Sequence, residues 1–167
     1  MTQQLLQVAN EALVKTLGPG QHVVRAEYTQ IYLSAAAQLK AAQDPELLRP
    51  VVAALARVPG VGRVLLSAGL ETQRQSKDAV VRAAALSHVP GRSGQIVVIP
   101  REYFTVGAAT ARGTTHGTLH AYDQHVPLVF FGQGVKAGRY RQRATPADLA
   151  PTLAATIGLP MPGVDGV

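Results

Sequence analysis

Pro90-Gly91-Arg92-Ser93-Gly94-Gln95-Ile96-Val97-Val98-Ile99 is a tight turn followed by the strongest strand signal in the chain. Proline and two glycines within five residues bend the backbone sharply, and the four consecutive β-branched side chains after them suit a pleated surface better than a helix. Upstream, Ser76 is placed to cap a helix from Lys77 to about Ser87. Before that helix, Arg63-Val64-Leu65-Leu66-Ser67 is apolar enough to be a strand largely buried on both faces. Pro59-Gly60-Val61-Gly62 is the turn into that strand. Further back, Asp44-Pro45-Glu46 opens a helix whose apolar face is Leu47, Leu48, Val51, Val52 and Leu55. Pro50 falls inside this pattern, where it kinks the helix or resets its start.

The same alternation reaches both ends of the chain. Leu5, Leu6, Ala9, Ala12 and Leu13 recur at helical spacing between Thr2 and Leu17, and Gly18-Pro19-Gly20 stops that amphipathic helix. His22-Val23-Val24-Arg25-Ala26 and Gln30-Ile31-Tyr32-Leu33 read as two short strands. Downstream, a glycine- and threonine-rich loop from Gly107 to His125 precedes an expected strand, Val126-Pro127-Leu128-Val129-Phe130-Phe131. Thr145-Pro146-Ala147-Asp148 then opens a last helix through Ile157, which Gly158 ends. Neither an internal repeat nor a dividing linker is evident, so the expected architecture is one α/β domain over residues 1–167, a mixed sheet with flanking helices.

Composition narrows the function. With 47% hydrophobic and 16% charged residues in 167, the chain has enough apolar material for a core and is not a disordered segment. No run approaches the roughly 18 apolar residues of a membrane span, so no membrane partner is expected. There is no cysteine, and any metal would need histidine and carboxylate ligands. The net charge of +6 invites a nucleic-acid reading, yet the cations are spread singly apart from Arg139, Arg141 and Arg143, and aromatics are 5%. A basic stripe interleaved with stacking rings is missing from the sequence, and nucleic acid is not the expected partner.

Chemistry is best sought in the Gly107 to His125 loop, because loops this long in compact domains tend to be functional. It holds three of the five histidines, His116, His120 and His125, together with Asp123. Glycines on both sides let the backbone present His116, and Asp123 could add an oxygen ligand; alternatively the histidines bond loop backbone and cap the following strand. Thr114, Thr115 and Thr118 are read as loop formers rather than nucleophiles. Tyr122 is expected to pack and Asp123 to bond loop amides, while His22 and His88 read as satisfied structural histidines and Arg92 as part of a turn.

Several segments together resemble one family. Gly113-Thr-Thr-His-Gly117, Tyr122-Asp123-Gln-His125-Val126-Pro127-Leu-Val-Phe-Phe-Gly132-Gln-Gly134 and Ala147-Asp148-Leu-Ala150-Pro151-Thr152-Leu-Ala resemble the C-terminal portion of bacterial alkaline phosphatase superfamily enzymes. The group most similar is the phosphatases related to type I phosphodiesterases and nucleotide pyrophosphatases. Gln30-Ile31-Tyr32-Leu33, Val58-Pro59-Gly60-Val61 and Gly91-Arg92-Ser93-Gly94-Gln95-Ile96-Val97-Val98 fit the same pattern in the same order.

The resemblance implies a hydrolase that transfers a phosphoryl group to a Thr or Ser and then to water, with two zinc ions clamping the attacking and leaving oxygens. It implies His116 as one zinc ligand, with His120, Asp123 and His125 as accessory candidates. The family's nucleophile motif and its Asp-x-x-x-His and Asp-His ligand motifs do not occur in these residues. The expectation is therefore a C-terminal part of a zinc-dependent phosphatase or phosphodiesterase that names no catalytic residue, holds no zinc alone and is inactive alone. Its expected partner is the missing N-terminal catalytic portion or a second copy in a homo-oligomer, and the parent enzyme is expected to be periplasmic. The alternative is a non-catalytic protein-interaction module derived from that fold.

Overall fold

The computed structural model describes residues 1–105 and 116–166. The described chain forms two compact units, Met1–His125 and the stretch from Val126 onward.

The first unit opens with α1 (Thr2–Leu17), which buries Leu5, Ala9, Ala12 and Leu13 on one face. Its end is fixed by Gly18, whose φ of 88° favours glycine, and the Gly18 N–H donates to the Val14 carbonyl. Asn10 then fastens the helix to the first strand: its Oδ1 accepts from the N–H groups of His22 at 2.7 Å and Val23 at 3.1 Å. Strands β1 (Val23–Glu27) and β2 (Gln30–Leu33) form a hairpin. Helix α2 (Ala35–Gln43) follows, with the Ser34 hydroxyl accepting from the Ala37 N–H. The sequence reading passed over α2 because its apolar residues are mostly alanines, which leave only a weak stripe.

Pro50 resets the next helix rather than kinking it. A 3-10 turn (Pro45–Leu48) hands over to α3 (Arg49–Ala56), in whose first turn Pro50 lacks only an N–H that has no intrahelical partner anyway. Strand β3 (Val61–Leu66) leads to α4 (Ala79–Ser87) and then to β4 (Ile96–Pro100). Two expectations change here. Strand β3 is not buried on both faces, because Gly62 and Arg63 are exposed on what is an outer strand. Helix α4 is capped by Asp78 rather than Ser76: the Asp78 Oδ1 accepts from Val80 N–H at 3.0 Å and Val81 N–H at 3.2 Å, and Ser76 Oγ accepts from Asp78 N–H.

The sheet order is β1-β2-β4-β3. The α/β class holds, but every pairing among the described strands is antiparallel where a mixed sheet was expected. Strand β4 explains why helices cover both faces. Ile96 and Val98 join the core with α1 and α3, whereas Val97 joins Leu70, Ala84 and Ala85 beneath α4, following the period-two alternation of a strand. Gly94 lets the turn approach β2: a Cβ there would lie 2.7 Å from the Ile31 carbonyl oxygen.

The first unit closes with one turn of helix, α5 (Ala121–Gln124), and the second is built around α6 (Leu149–Thr156). A 3-10 turn (Pro146–Asp148) starts it, and the Asp148 Oδ2 accepts from the Thr145 N–H at 2.6 Å and the Thr145 hydroxyl at 3.1 Å. Gly158, at φ 71°, lies just past its end. The strand expected over residues 126–131 is not formed. A strand exists through ladder hydrogen bonds, this stretch has no ladder partner among the described residues, and Val129 and Phe131 are exposed.

Candidate functional site

The sheet gathers the candidate residues at one end. Val98 N–H donates to the Thr29 carbonyl at 2.7 Å, so the β1–β2 turn lies beside the last residues of β4, and Pro100 faces Val61, the first residue of β3. Arg101 secures this end by donating its N–H to Gly60 O at 2.8 Å and its Nε–H to Val61 O at 3.3 Å.

The segment from His116 to His125 returns to the same end. Leu119 packs into the apolar cluster beneath α4, and one turn of helix, α5 (Ala121–Gln124), follows. His120 Nε2 lies 2.8 Å from Pro100 O. A carbonyl only accepts, so Nε2 carries the proton and is not a metal donor in this arrangement. Asp123 Oδ2 accepts from Thr118 twice, from its N–H at 3.0 Å and from its hydroxyl. The Thr118 hydroxyl, together with the Thr118 N–H, holds the Asp123 carboxyl below its ordinary pKa; His116 and His120 act in the same direction and partial desolvation opposes them. The loop therefore carries a fixed negative charge near its two histidines.

His116 is exposed. His125 ends α5 through its backbone N–H, which donates to Ala121 O at 2.9 Å; it marks no strand entrance. Thr114 and Thr115 lie outside the described residues. Among the described residues no three His, Asp or Glu side chains converge to hold a metal ion. His120 keeps its Nδ1 and Asp123 its Oδ1 outside these hydrogen bonds.

The remaining histidines differ from each other. His22 Nε2 reaches Gly18 O at 2.9 Å, a satisfied structural role. His88 is buried with Nε2 3.9 Å from a Glu71 oxygen and with no hydrogen-bond partner at Nδ1 among the described residues, so it is not fully satisfied. Two residues at the sheet end were not singled out in the sequence. Tyr28 and Tyr103 both have positive φ, which nothing in the chain forecasts because tyrosine is not a residue that marks left-handed turns.

No known protein-family profile matches the chain. Among characterised proteins it is 28% identical over 155 residues to a protein of Myroides odoratus named calcium-transporting ATPase, covering 92% of this chain and 28% of that one. It is 37% identical over 71 residues to alkaline phosphatase PafA of Elizabethkingia meningoseptica, covering 42% of this chain and 13% of PafA. The crystal structure of wild-type PafA superimposes with a TM-score of 0.76 at 24% identity, over 94% of this chain and 30% of that one. In sequence and fold the chain is thus similar to part of alkaline phosphatases of this superfamily. It spans less than a third of the length of these relatives.

Proposed function

We propose that this chain is the part of a zinc-dependent phosphoric ester hydrolase that presents His116 as one metal ligand, and that the nucleophile and the other ligands belong to the remaining, N-terminal portion of the fold. The observation that carries this reading is the extent of the likeness: the match to PafA takes in 94% of this chain and only 30% of that one. A catalytic zinc normally has three protein ligands and an open position, and one exposed histidine does not supply them. In the complete site two zinc ions would supply charge stabilisation at the attacking and leaving oxygens. What this chain's own residues do is narrower: Thr118 fixes the Asp123 carboxylate, Pro100 fixes His120, and the two together orient the short segment from which His116 projects.

Zinc titration of the isolated chain, followed by histidine ring NMR, tests this. His116 is expected to respond first and weakly, His120 to stay in place, and zinc content after dialysis to remain well below one ion per chain. Hydrolysis of 4-nitrophenyl phosphate is expected to be at background with or without zinc. Zinc-stimulated turnover, or tight zinc that survives His116→Ala, would overturn the assignment.

A further inference from the structure

Gln30 pairs with Val97 and Tyr32 follows two residues on, so both side chains lie on the α4 side of the sheet; Arg25 of β1 stands opposite Tyr32. These three, together with Arg92 and Ser93 of the turn that leads out of α4, line a cleft of about 630 Å³. The turn holds its shape by its own bonds. Arg92 and Ser93 donate their N–H groups to Val89 O at 3.1 and 2.9 Å, the Val89 N–H donates to Ser93 Oγ at 3.0 Å, and Gly91 takes a φ of 72°. The Gly94 N–H donates to Gln30 Oε1 at 2.6 Å, which fastens the turn to β2. The cleft therefore lies at the entrance of β4, whereas His120 meets the exit of that strand at Pro100.

The side chains of this cleft have spent their acceptors and kept their donors. Gln30 Oε1 accepts from Gly94 and from the Tyr32 hydroxyl at 3.3 Å, which leaves the Gln30 amino group unused. Ser93 Oγ accepts from Val89 and keeps its own hydrogen to donate. The Arg25 guanidinium lies over the Tyr32 ring, 3.9 Å from its centroid. Its Nη1 is 3.4 Å from Glu27 Oε2, longer than the about 2.7–2.9 Å of a strong charge-assisted bond. The Arg92 guanidinium has no hydrogen bond or ion pair among the described residues. Two cations and two neutral donors thus line one cleft, and no described carboxylate lines it with them.

We propose that this cleft binds an acidic peptide segment of another protein. A guanidinium fork engages a carboxylate with two N–H groups at once, and two forks on separate elements suit carboxylates spaced along a chain. Both arginines are exposed, so the cleft is an open trough and does not enclose a small ligand as a pocket of similar volume usually does. Single-stranded nucleic acid binds by stacking its bases, and one face of the Tyr32 ring is already covered by Arg25. A second copy of this chain is a poor source of the segment: its ten acidic residues are never adjacent, and only Asp44 and Glu46 lie within two positions of each other. The site is independent of the reading of His116 above.

Fluorescence anisotropy of the full chain with a fluorescein-labelled tetraglutamate peptide at low salt tests this. Binding is expected to saturate and to weaken as salt is added, and a tetraglutamine peptide is expected not to bind. Arg92→Ala and Arg25→Ala should each weaken binding about fivefold, and Glu27→Gln, which releases Arg25, should tighten it about twofold. Arg92 is exposed and bonds only through its backbone, so its truncation leaves the turn intact. Arg139→Ala, in the basic cluster that does not line the cleft, should leave binding unchanged. Equal weakening by Arg139→Ala would mean that the net charge of +6 alone attracts the peptide, and would overturn the site, as would absence of saturable binding. Oligothymidylate bound as tightly as the peptide and with the same dependence on Arg92, or displacement of the peptide by equimolar inorganic phosphate, would overturn the acidic peptide as the occupant.

Discussion

Ile96-Val97-Val98-Ile99-Pro100 and Val126-Pro127-Leu128-Val129-Phe130-Phe131 are written in the same apolar alphabet and end in opposite environments. In β4 all but Val97 are buried, with β2 on one side and β3 on the other. In the second stretch all but Phe130 are exposed and no ladder forms among the described residues. An apolar run states what a strand is able to bury; the neighbours that complete its hydrogen bonds decide whether it becomes one. The same contrast separates the two units as wholes, since among the described residues every buried apolar side chain except Ala154 lies at or before Pro100.

Truncation should expose this contrast most strongly. Ile96→Ala is expected to cost about 2–5 kcal/mol, since the deleted atoms leave a cavity between α1, α3 and the sheet, while Phe131→Ala should change stability by less than about 0.5 kcal/mol. Urea unfolding followed by circular dichroism measures both. Equal losses would break the comparison, because they would mean that Phe131 is buried in solution. A smaller effect is expected at the entrance to β4. Gly94→Ala places a methyl against the Ile31 carbonyl oxygen of β2, and the resulting shift of a hydrogen-bonded turn should cost about 1–3 kcal/mol in the same assay. A neutral substitution there would show that the turn has room to move away.

These two sites also mark how far the sequence is legible. Helix α1 and strand β2 have the limits their periodicity and punctuation announce, because the signals are local: Gly18 ends the one and a four-residue apolar alternation makes the other. Gly94 announces a turn, but its closer constraint is contact with a strand more than sixty residues away, which no local pattern encodes. The same holds at the candidate site. Asp123 bonding to loop amides was readable from its type and place, and Thr118 is indeed its partner. That the His120 Nε2 meets Pro100 O was not readable, since it depends on β4 and the loop meeting at one end of the sheet. The strand expected over residues 126–131 failed for the converse reason: its local signal is sound and its long-range partner is not among the described residues.

The gentlest probe compares how each unit starts a helix. Asp78 caps α4 with two backbone N–H groups and also accepts from Arg63 Nη1 at 2.7 Å, tying that helix to β3; the Thr145–Asp148 turn that begins α6 is local to its own few residues. The Arg63 hydrogen bond, with those from Val81 and Val80, holds the Asp78 carboxyl below the usual carboxylate range, although desolvation acts against them. A carboxyl whose pKa is lowered by folding stabilises the native state fully above its unfolded pKa, and the contribution fades as pH falls through the lower folded value. Asp78→Asn should therefore be less stable than the parent at neutral pH, and the difference should narrow below about pH 4. Both partners are nearly half exposed, so the effect is modest and should shrink further in high salt. Urea midpoints of the two proteins across acidic pH decide the matter: parallel curves would mean that the Arg63–Asp78 tie does not hold α4 to the sheet in solution, and that the first unit starts this helix by local contacts alone, as the second unit starts α6.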